Sequence, residues 1–247
     1  MDIDAYLRLL GIDQRITPNL ETLERLQRAH LTAVPFENLD VYARRGVRTG
    51  DLWSVSKVVE RRRGGWCFEL NGAFAALLGE LGYDVTRHAA TVVFGQTTHM
   101  PTHLTLIVQL NRPYLVDVGF GDSFIRPLPL DSEGPHDGGS GEFGFVFEGD
   151  LTTLVAFENE NPEPQYRFDA TPRQPGDFDE ASLLLQTQPG LQWTQARFAT
   201  RLLDGGPDRV TLLEGRIKHR RDGTWTETHI EGSEWETLLY EWFGLTL

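Results

Sequence analysis

Residues 63–71 read RGGWCFELN, and this stretch contains Cys67, the only cysteine in the 247-residue chain. From this cysteine onward, apolar residues recur at steps of three and four: Cys67, Leu70, Phe74, Leu77, Leu78 and Leu81. Such spacing is typical of the buried face of an α-helix. The pattern therefore predicts a helix that starts after Gly64-Gly65, carries Cys67 in its first turn and ends at Gly82.

Two interpretations of Cys67 are open at this point. A helix N-terminus stabilises a thiolate through its unpaired N–H groups and the positive end of the helix dipole, which favours a nucleophile. Free cysteine is also among the most buried residue types, and Cys67 lies on an apolar stripe, which favours a structural side chain. Spacing alone gives more weight to the structural interpretation.

Composition limits the classes of protein that remain. The chain has 23 Lys and Arg against 36 Asp and Glu, a formal net charge of -13 that argues against non-specific nucleic-acid binding. No apolar run reaches the roughly 18 residues of a transmembrane helix, and MDIDAYLRLL lacks the features of a secretory signal. A lone cysteine permits no internal disulfide and no multi-cysteine metal site. We therefore expect a globular cytoplasmic protein with no metal, no membrane partner and no nucleic-acid partner.

The first eighty residues predict helices. Residues 4–10 form a short amphipathic pattern, and a longer helix is predicted to open at Thr17-Pro18, in the usual order of cap and proline. VPFENLDVY (34–42) has no clear period and predicts an ordered loop. A further helix is predicted at 54–62, where Gly64-Gly65 stops it.

From Tyr83 the apolar pattern changes to period two, which predicts antiparallel strands. These strands are predicted at 85–94, 103–110, 113–118, 143–147, 151–157 and 165–168. Residues 131–141 and the proline-rich residues 161–176 predict loops around them. The last seventy residues predict a helix at 179–188, strands at 196–203, 209–214, 216–220 and 224–230, and a final helix. Ser233 and Glu236 predict a capping box on that helix.

A nucleophilic cysteine needs a base within hydrogen-bond reach and a third group that orients the base. His103 begins the apolar alternation of a predicted strand, and His99 shortly precedes it. Asp117 interrupts the apolar run YLVDVGF, where an unpaired carboxylate would be costly, so its partner is either this base or a structural cation. A tight turn at Arg112 would pair His103 with a residue three or four beyond Asp117, an offset of roughly 10 Å. The two side chains then meet only if a strand bends.

Metal and phosphate sites have weaker support. His99 and His103 are four apart, but Pro101 between them argues against the helix that would align them. GFGDS (119–123) is neither a Walker loop nor a dinucleotide fingerprint, and no G-x-S-x-G occurs. KHRR (218–221) predicts a solvated strand end, with contact to a phosphate-bearing ligand as the alternative.

Four segments, VPFENLD, RRGGWCFELN, THLTLIV and YLVDVGFG, resemble the arylamine N-acetyltransferases in order and spacing, and the likeness covers most of the chain. The resemblance implies an α+β fold with a cysteine-protease-like, three-part architecture. Its parts would be an N-terminal helical bundle at 1–83, an antiparallel β-barrel at 84–180 and a C-terminal α/β lid at 181–247. It also implies that Cys67 accepts the acetyl group, that His103 is its base and that Asp117 orients the base.

The same resemblance implies roles for the neighbours of these three residues. Asn71 would hold Asp117, and Arg63 would brace the loop before the nucleophile through Glu37 or Asn38. The acceptor pocket would be lined by two aromatic side chains, because an apolar aromatic wall suits a flat aryl substrate. These are Phe36 and Phe120.

The implied activity is ping-pong transfer of an acetyl group from acetyl-CoA, through a thioester on Cys67, to an arylamine, arylhydrazine or N-hydroxyarylamine. Acetyl-CoA would be a cosubstrate, with no permanently bound cofactor, and the protein would be a monomer or weak homodimer. Three alternatives remain. An amide synthase would release or cyclise a polyketide chain with the same three residues, a thiol hydrolase would pass the acyl group to water, and a binding protein would keep the fold without catalysis.

Overall fold

The computed structural model describes residues 1–93, 101–158, 161–203 and 206–247. Helices dominate the first eighty residues, as predicted. In chain order, the elements there are α1 (Ile3–Leu9), α2 (Leu20–Ala33), β1 (Phe36–Glu37), α3 (Leu39–Tyr42), α4 (Asp51–Val55), a π-helical turn (Ser56–Glu60) and α5 (Cys67–Glu80). The helix expected at 54–62 therefore starts earlier, and its second half has π-helical pairing.

Local hydrogen bonds and distant partners move some boundaries from their predicted places. The N-cap of α2 is Asn19 rather than Thr17, because the Asn19 side chain accepts a hydrogen bond from the Thr22 backbone N–H at 2.9 Å. The predicted loop at 34–42 contains β1 and α3 instead. β1 pairs Phe36 with Thr200, a residue far along the chain, so its local sequence could not reveal it as a strand.

The middle of the chain forms one antiparallel sheet of eight strands. They are β2 (Asp84–Val92), β3 (His103–Gln109), β4 (Pro113–Val116), β5 (Leu128–Pro129), β6 (His136–Asp137), β7 (Glu142–Glu148), β8 (Leu151–Glu158) and β9 (Asn161–Arg173). Their order in the sheet is β5-β4-β3-β2-β9-β8-β7-β6, and the two end strands approach each other, so the sheet is a nearly closed barrel.

The long strand β9 occupies the proline-rich segment that was expected to be a loop. It pairs with β2 on one edge and β8 on the other, and the register shifts between Leu154 and Val155, opposite Pro164. A second shift lies between His88 and Ala90. Because prolines cannot donate to a ladder, these bulges allow the strand to contain them. The predicted loop at 131–141 likewise includes the short strand β6.

The C-terminal part combines helices with a second sheet. After a 3-10 turn (Pro175–Phe178), its elements are α6 (Asp179–Thr187), α7 (Gln192–Gln195), β10 (Ala199–Leu202), β11 (Arg209–Leu213), β12 (Arg216–Arg221), β13 (Thr224–His229) and α8 (Trp235–Phe243). The sheet order is β1-β10-β11-β12-β13, so β1 supplies an edge strand from the helical part. The predicted capping box of Ser233 does not form. Glu234 is the N-cap residue, and its carboxylate accepts a hydrogen bond from the Glu231 N–H at 2.7 Å.

Three groups of buried apolar side chains correspond to the three parts. The first joins α1, α2 and α5 to one face of β3 and β4, the second lies inside the barrel, and the third lies between α8 and the C-terminal sheet. The predicted α+β class with a helical part, a barrel and an α/β part is thus confirmed. The boundaries at 83/84 and 180/181 stay a prediction. Within the described ranges, no helix has the length and apolar character needed to cross a bilayer.

Candidate active site

Cys67 is the first residue of α5 and is 6% exposed. The sharp turn before the helix is made at Arg62, whose φ is 53°. The two glycines serve a different purpose, since both lie where other groups approach the backbone closely. A Cβ on Gly64 would overlap the Pro35 carbonyl oxygen, and one on Gly65 would lie 2.5 Å from Glu69 Oε2. Cys67 lies in the first turn of the helix, as predicted, and the two glycines are needed because neighbouring groups leave no room for a Cβ.

His103 and Asp117 come together in the barrel. His103 is the first residue of β3, Asp117 follows directly after β4, and His103 Nε2 lies 2.6 Å from Asp117 Oδ2. The register pairs Leu106 with Val116. If continued, it would place His103 opposite Gly119, two residues beyond Asp117 rather than three or four. Pairing ends at Val116, so Asp117 lies outside the strand and its side chain reaches back to the imidazole.

Four donors surround the Asp117 carboxylate, which is 3% exposed. Asn71 Nδ2 and the Gly119 N–H each donate to Oδ1 at 2.8 Å, and the Tyr166 hydroxyl donates to Oδ2 at 3.1 Å beside His103. Asn71 therefore contacts Asp117 as expected. Burial alone would raise the pKa of Asp117, but His103, Asn71 and Gly119 lower it below its usual value. The carboxylate is thus charged at neutral pH.

Tyr166 is a site residue that the sequence reasoning missed. Its ring packs 4.9 Å from the His103 ring and 5.0 Å from that of Phe120, and its hydroxyl also lies 3.1 Å from the Thr105 hydroxyl. Tyr166 is in β9, which lies three strands away from β4, the strand that Asp117 follows. Only the closed sheet brings it to Asp117, so no local motif could have indicated it.

The His103 imidazole is fully buried among charged partners. Burial disfavours the imidazolium, yet the Asp117 carboxylate and then the Cys67 side chain outweigh this and raise the pKa of His103 to about 10. Because Nε2 is hydrogen-bonded to Asp117, Nδ1 is the ring nitrogen that interacts with Cys67. The Cys67 sulfur is also 3.9 Å from the Thr102 carbonyl oxygen. An imidazolium next to the sulfur at neutral pH favours a thiolate.

Arg63 contacts different residues from those that the resemblance implied. Its guanidinium donates to the Thr246 carbonyl at 2.8 Å and lies 3.7 Å from Asp40 Oδ1. It forms no hydrogen bond with Glu37 or Asn38. Its charge still helps to counter the rise in the pKa of Glu37 that burial causes. Arg63 thus ties the loop before Cys67 to the C-terminus of the chain.

A buried lysine beneath α5 was also missed. Lys57 is 1% exposed, and its Nζ lies 2.9 Å from both Glu69 Oε1 and Asp40 Oδ2. Burial lowers the pKa of Lys57, but the surrounding carboxylates raise it above its usual value. Glu69 Oε2 accepts a hydrogen bond from the Trp66 N–H at 3.3 Å, immediately before Cys67. The ion pair therefore fixes the first turn of α5.

A cavity of about 820 Å³ opens at Cys67 and His103. Four aromatic side chains form much of its wall: Phe36, Trp66, Phe120 and Trp193. Phe36 and Phe120 both line this cavity, and their predicted contact with an acceptor stays a prediction; Trp66 and Trp193 were not foreseen. Asn38 holds the Trp193 segment by donating to the Trp193 carbonyl at 2.9 Å. In the described part of the chain, no group of three or more His, Cys, Asp and Glu could hold a metal ion, and His99 lies outside that part.

A thiol at a helix start, an imidazole and a buried carboxylate, in this order beside an apolar cavity, are the arrangement of a thiol-dependent enzyme. The family model described as N-acetyltransferase matches residues 19–247. The chain therefore belongs to this N-acetyltransferase family, and it is an acyltransferase.

Individual relatives agree in sequence and in fold. An arylamine N-acetyltransferase of Mycolicibacterium smegmatis is 35% identical over 201 residues, which are 77% of this chain and 72% of the relative. The solved structure of the enzyme from Salmonella typhimurium has a TM-score of 0.93 at 28% identity, covering 98% of this chain and 90% of the other. That of the Mycobacterium marinum enzyme in complex with CoA has a TM-score of 0.91 at 30% identity, covering 98% and 92%.

Proposed function

We propose that this chain transfers an acetyl group from acetyl-CoA to an arylamine, arylhydrazine or N-hydroxyarylamine in a ping-pong cycle, with Cys67 as the acetyl carrier. The observation that carries the proposal is the 2.6 Å contact between His103 and Asp117 directly behind the first residue of α5. Membership of the arylamine N-acetyltransferase family supports the choice of donor and acceptor.

In the first half-reaction, the Cys67 thiolate attacks the carbonyl carbon of acetyl-CoA. The new bond joins that carbon to the Cys67 sulfur, and the bond to the CoA sulfur breaks. The departing CoA thiolate takes the proton of the His103 imidazolium, which becomes neutral. The raised pKa of His103 supports this role, because the imidazolium is the form present at neutral pH before acetyl-CoA reacts.

In the second half-reaction, the acceptor nitrogen attacks the thioester carbon and the bond to the Cys67 sulfur breaks. His103, now neutral, takes the proton from the nitrogen, so the thiolate and imidazolium are restored. Asp117 keeps the His103 ring in one orientation and stabilises its positive charge in both steps. Asn71 and Tyr166 act as positioning residues, because they hold Asp117 and touch neither the sulfur nor the acceptor.

The cavity supports a flat aromatic acceptor. Phe36 and Trp193 meet edge to face with ring centroids 6.4 Å apart, and Phe120 stands 5.2 Å from the His103 ring. Aromatic walls of this kind bind planar rings by stacking and edge contacts. A volume of about 820 Å³ lies within the usual range of small-molecule sites. We propose that Phe36 and Phe120 contact the acceptor ring.

Mass spectrometry of the intact protein tests the proposal. Mixed with acetyl-CoA and no acceptor, the wild-type protein should gain one acetyl group on Cys67, and adding an aniline-type amine should remove it and yield the acetylated amine. Cys67→Ala, the matched control, should gain none. Absence of the acyl-enzyme would refute the proposal, and hydrolysis of acetyl-CoA undiminished by the amine would indicate a thiol hydrolase instead.

We further propose that the protein works in the cytoplasm as a monomer or weak homodimer. A reducing compartment keeps a reactive thiol in its reduced form, which supports this location. Chromatography with light scattering at micromolar concentration tests the oligomeric state.

A further inference from the structure

The cavity at Cys67 has few charged groups. Of the described residues that form its wall, none is a lysine, arginine, aspartate or glutamate. Apart from Cys67 and His103, the polar side chains of this wall are Thr102, Gln188 and Gln192. The described wall therefore offers an anionic ligand no permanent cation, and its polar groups outside the reacting residues are neutral.

The reacting residues leave a negative charge behind the cavity when the acceptor binds. In the acetylated protein, Cys67 is a neutral thioester and His103 is the neutral base of the second half-reaction. Asp117 remains ionised, because its pKa is held below its usual value, and it lies 2.6 Å from His103. A carboxylate on the acceptor would lose its water and meet this charge without a cation to compensate it. The charges at the site therefore favour a neutral acceptor.

Two glutamine side chains of the wall are free to bind a ligand. Gln188 and Gln192 are both exposed, and within the part of the chain that the structure describes their side-chain amides form no hydrogen bond. Each amide has an oxygen that accepts hydrogen bonds and a nitrogen that donates two. A neutral group with matching donors and acceptors, such as a carboxamide, can therefore replace the water on both.

The backbone that carries these two glutamines is held in place without a ligand. Gln188 is the C-cap residue of α6, and Gln192 is the first residue of α7. The buried Asn38 side chain fixes the other end of α7, because it donates to the Ala196 carbonyl at 2.8 Å and accepts from the Phe198 N–H at 2.9 Å. A segment that is already ordered loses less conformational entropy on binding.

We propose that Gln188 and Gln192 select acceptors whose ring carries an uncharged hydrogen-bonding group, such as a carboxamide, over acceptors whose ring carries a carboxylate. This inference rests on the proposed acetyl transfer and names the class of acceptor that it uses. A neutral hydrogen bond changes an affinity by about two- to tenfold. A carboxylate is disfavoured further, because it leaves water for a wall that has no cation among its described residues.

Acetyl transfer to para-aminobenzamide and para-aminobenzoate tests the proposal, because these amines have nearly the same shape and differ in charge. In wild type, kcat/KM should be at least about tenfold higher for the amide. Gln188→Leu/Gln192→Leu should lower kcat/KM for para-aminobenzamide at least about fivefold and leave that for aniline within about twofold. Gln192→Lys supplies a cation and should raise kcat/KM for para-aminobenzoate at least about fivefold. Gln195→Leu, a matched control on α7 outside the wall, should change none of these values.

Protection of Cys67 from iodoacetamide measures binding of the same amines without acetyl-CoA, so it separates this proposal from the proposed function. The amide should protect wild type at a lower concentration than the carboxylate, and Gln188→Leu/Gln192→Leu should need more of the amide. Selective protection in a protein that forms no acyl-enzyme would count against acetyl transfer alone. Equal half-protecting concentrations of the two amines in wild type, or equal losses of kcat/KM for para-aminobenzamide and aniline in the double variant, would overturn the proposal. Equal melting temperatures establish that the variants remain folded.

Discussion

Replacing Asp117 with asparagine tests whether the charge of this carboxylate makes Cys67 reactive. Asparagine keeps the shape and can still accept from Asn71 Nδ2 and the Gly119 N–H, both now 2.8 Å from Oδ1. The amide nitrogen takes the place of Oδ2, so the negative charge beside His103 is lost together with the acceptor for the His103 Nε2–H and the Tyr166 hydroxyl. Burial is then opposed only by the Cys67 side chain, so the pKa of His103 falls from about 10 toward its usual 6.5. This difference corresponds to about 5 kcal/mol of lost imidazolium stabilisation, at ~1.36 kcal/mol for each tenfold change.

The assay is the rate of Cys67 alkylation by iodoacetamide at pH 6. Iodoacetamide reacts with thiolates, and an ordinary thiol with a pKa of about 8.5 is only ~0.3% ionised at this pH, so loss of the imidazolium beside the sulfur should slow alkylation at least about tenfold. We expect a loss of this order in Asp117→Asn. Asp131→Asn, which removes an exposed carboxylate that is 40% accessible, should react as wild type does.

Tyr166→Phe provides an intermediate variant that retains the charge. It removes one donor to Asp117 Oδ2, a hydrogen bond to a charged group that contributes roughly 1.5–3 kcal/mol, so its loss of reactivity should be smaller than that of Asp117→Asn. The reasoning is wrong if Asp117→Asn is folded by circular dichroism and alkylates within about threefold of the wild-type rate, because Cys67 would then ionise without the carboxylate.

Three further predictions concern stability. Because the pKa of His103 is raised in the folded state, the imidazolium stabilises the fold fully below about pH 6.5, and this contribution is lost as the pH rises toward 10. The free energy of unfolding measured with urea should therefore fall more over this range for wild type than for His103→Gln. Gly119→Ala places a Cβ 2.7 Å from the Cα of Cys67 and should cost about 1–3 kcal/mol in thermal melts. Gly79→Ala, whose Cβ would have nothing within 4 Å, should cost nothing, and equal effects of the two changes would contradict this. Lys57→Met leaves Glu69 and its neighbours uncompensated and should lower the free energy of unfolding by about 3–5 kcal/mol, and a change under about 1 kcal/mol would show that the ion pair is not needed.

The sequence alone was sufficient where the physical cause is local. The apolar spacing after Cys67 defines α5, because helical periodicity depends only on residues a few positions apart. An Asp-Gly pair favours a tight hairpin turn, and Asp222-Gly223 forms one between β12 and β13, with φ values of 49° and 75°. The family resemblance added the choice of His103 among seven histidines.

The tertiary structure decided what depends on distant partners. Strand register alone could not predict that His103 reaches Asp117, because the contact depends on the pairing of β3 and β4 ending at Val116. Tyr166 joins the carboxylate only because β9 closes against β2 in the barrel. The same holds for the strand at Phe36–Glu37, which exists through pairing with residues 199–200.

Cys67 illustrates both what the sequence determines and what only the tertiary structure determines. Its position at the start of a helix follows from nearby residues, which the chain carries in one short segment. Its partnership with His103 follows from a barrel strand that begins 36 positions later, and the pKa of about 10 follows from burial of both groups with Asp117. Periodicity fixes local conformation because its interactions are short-range in sequence, whereas the charge state of a buried site depends on every group that the fold places around it.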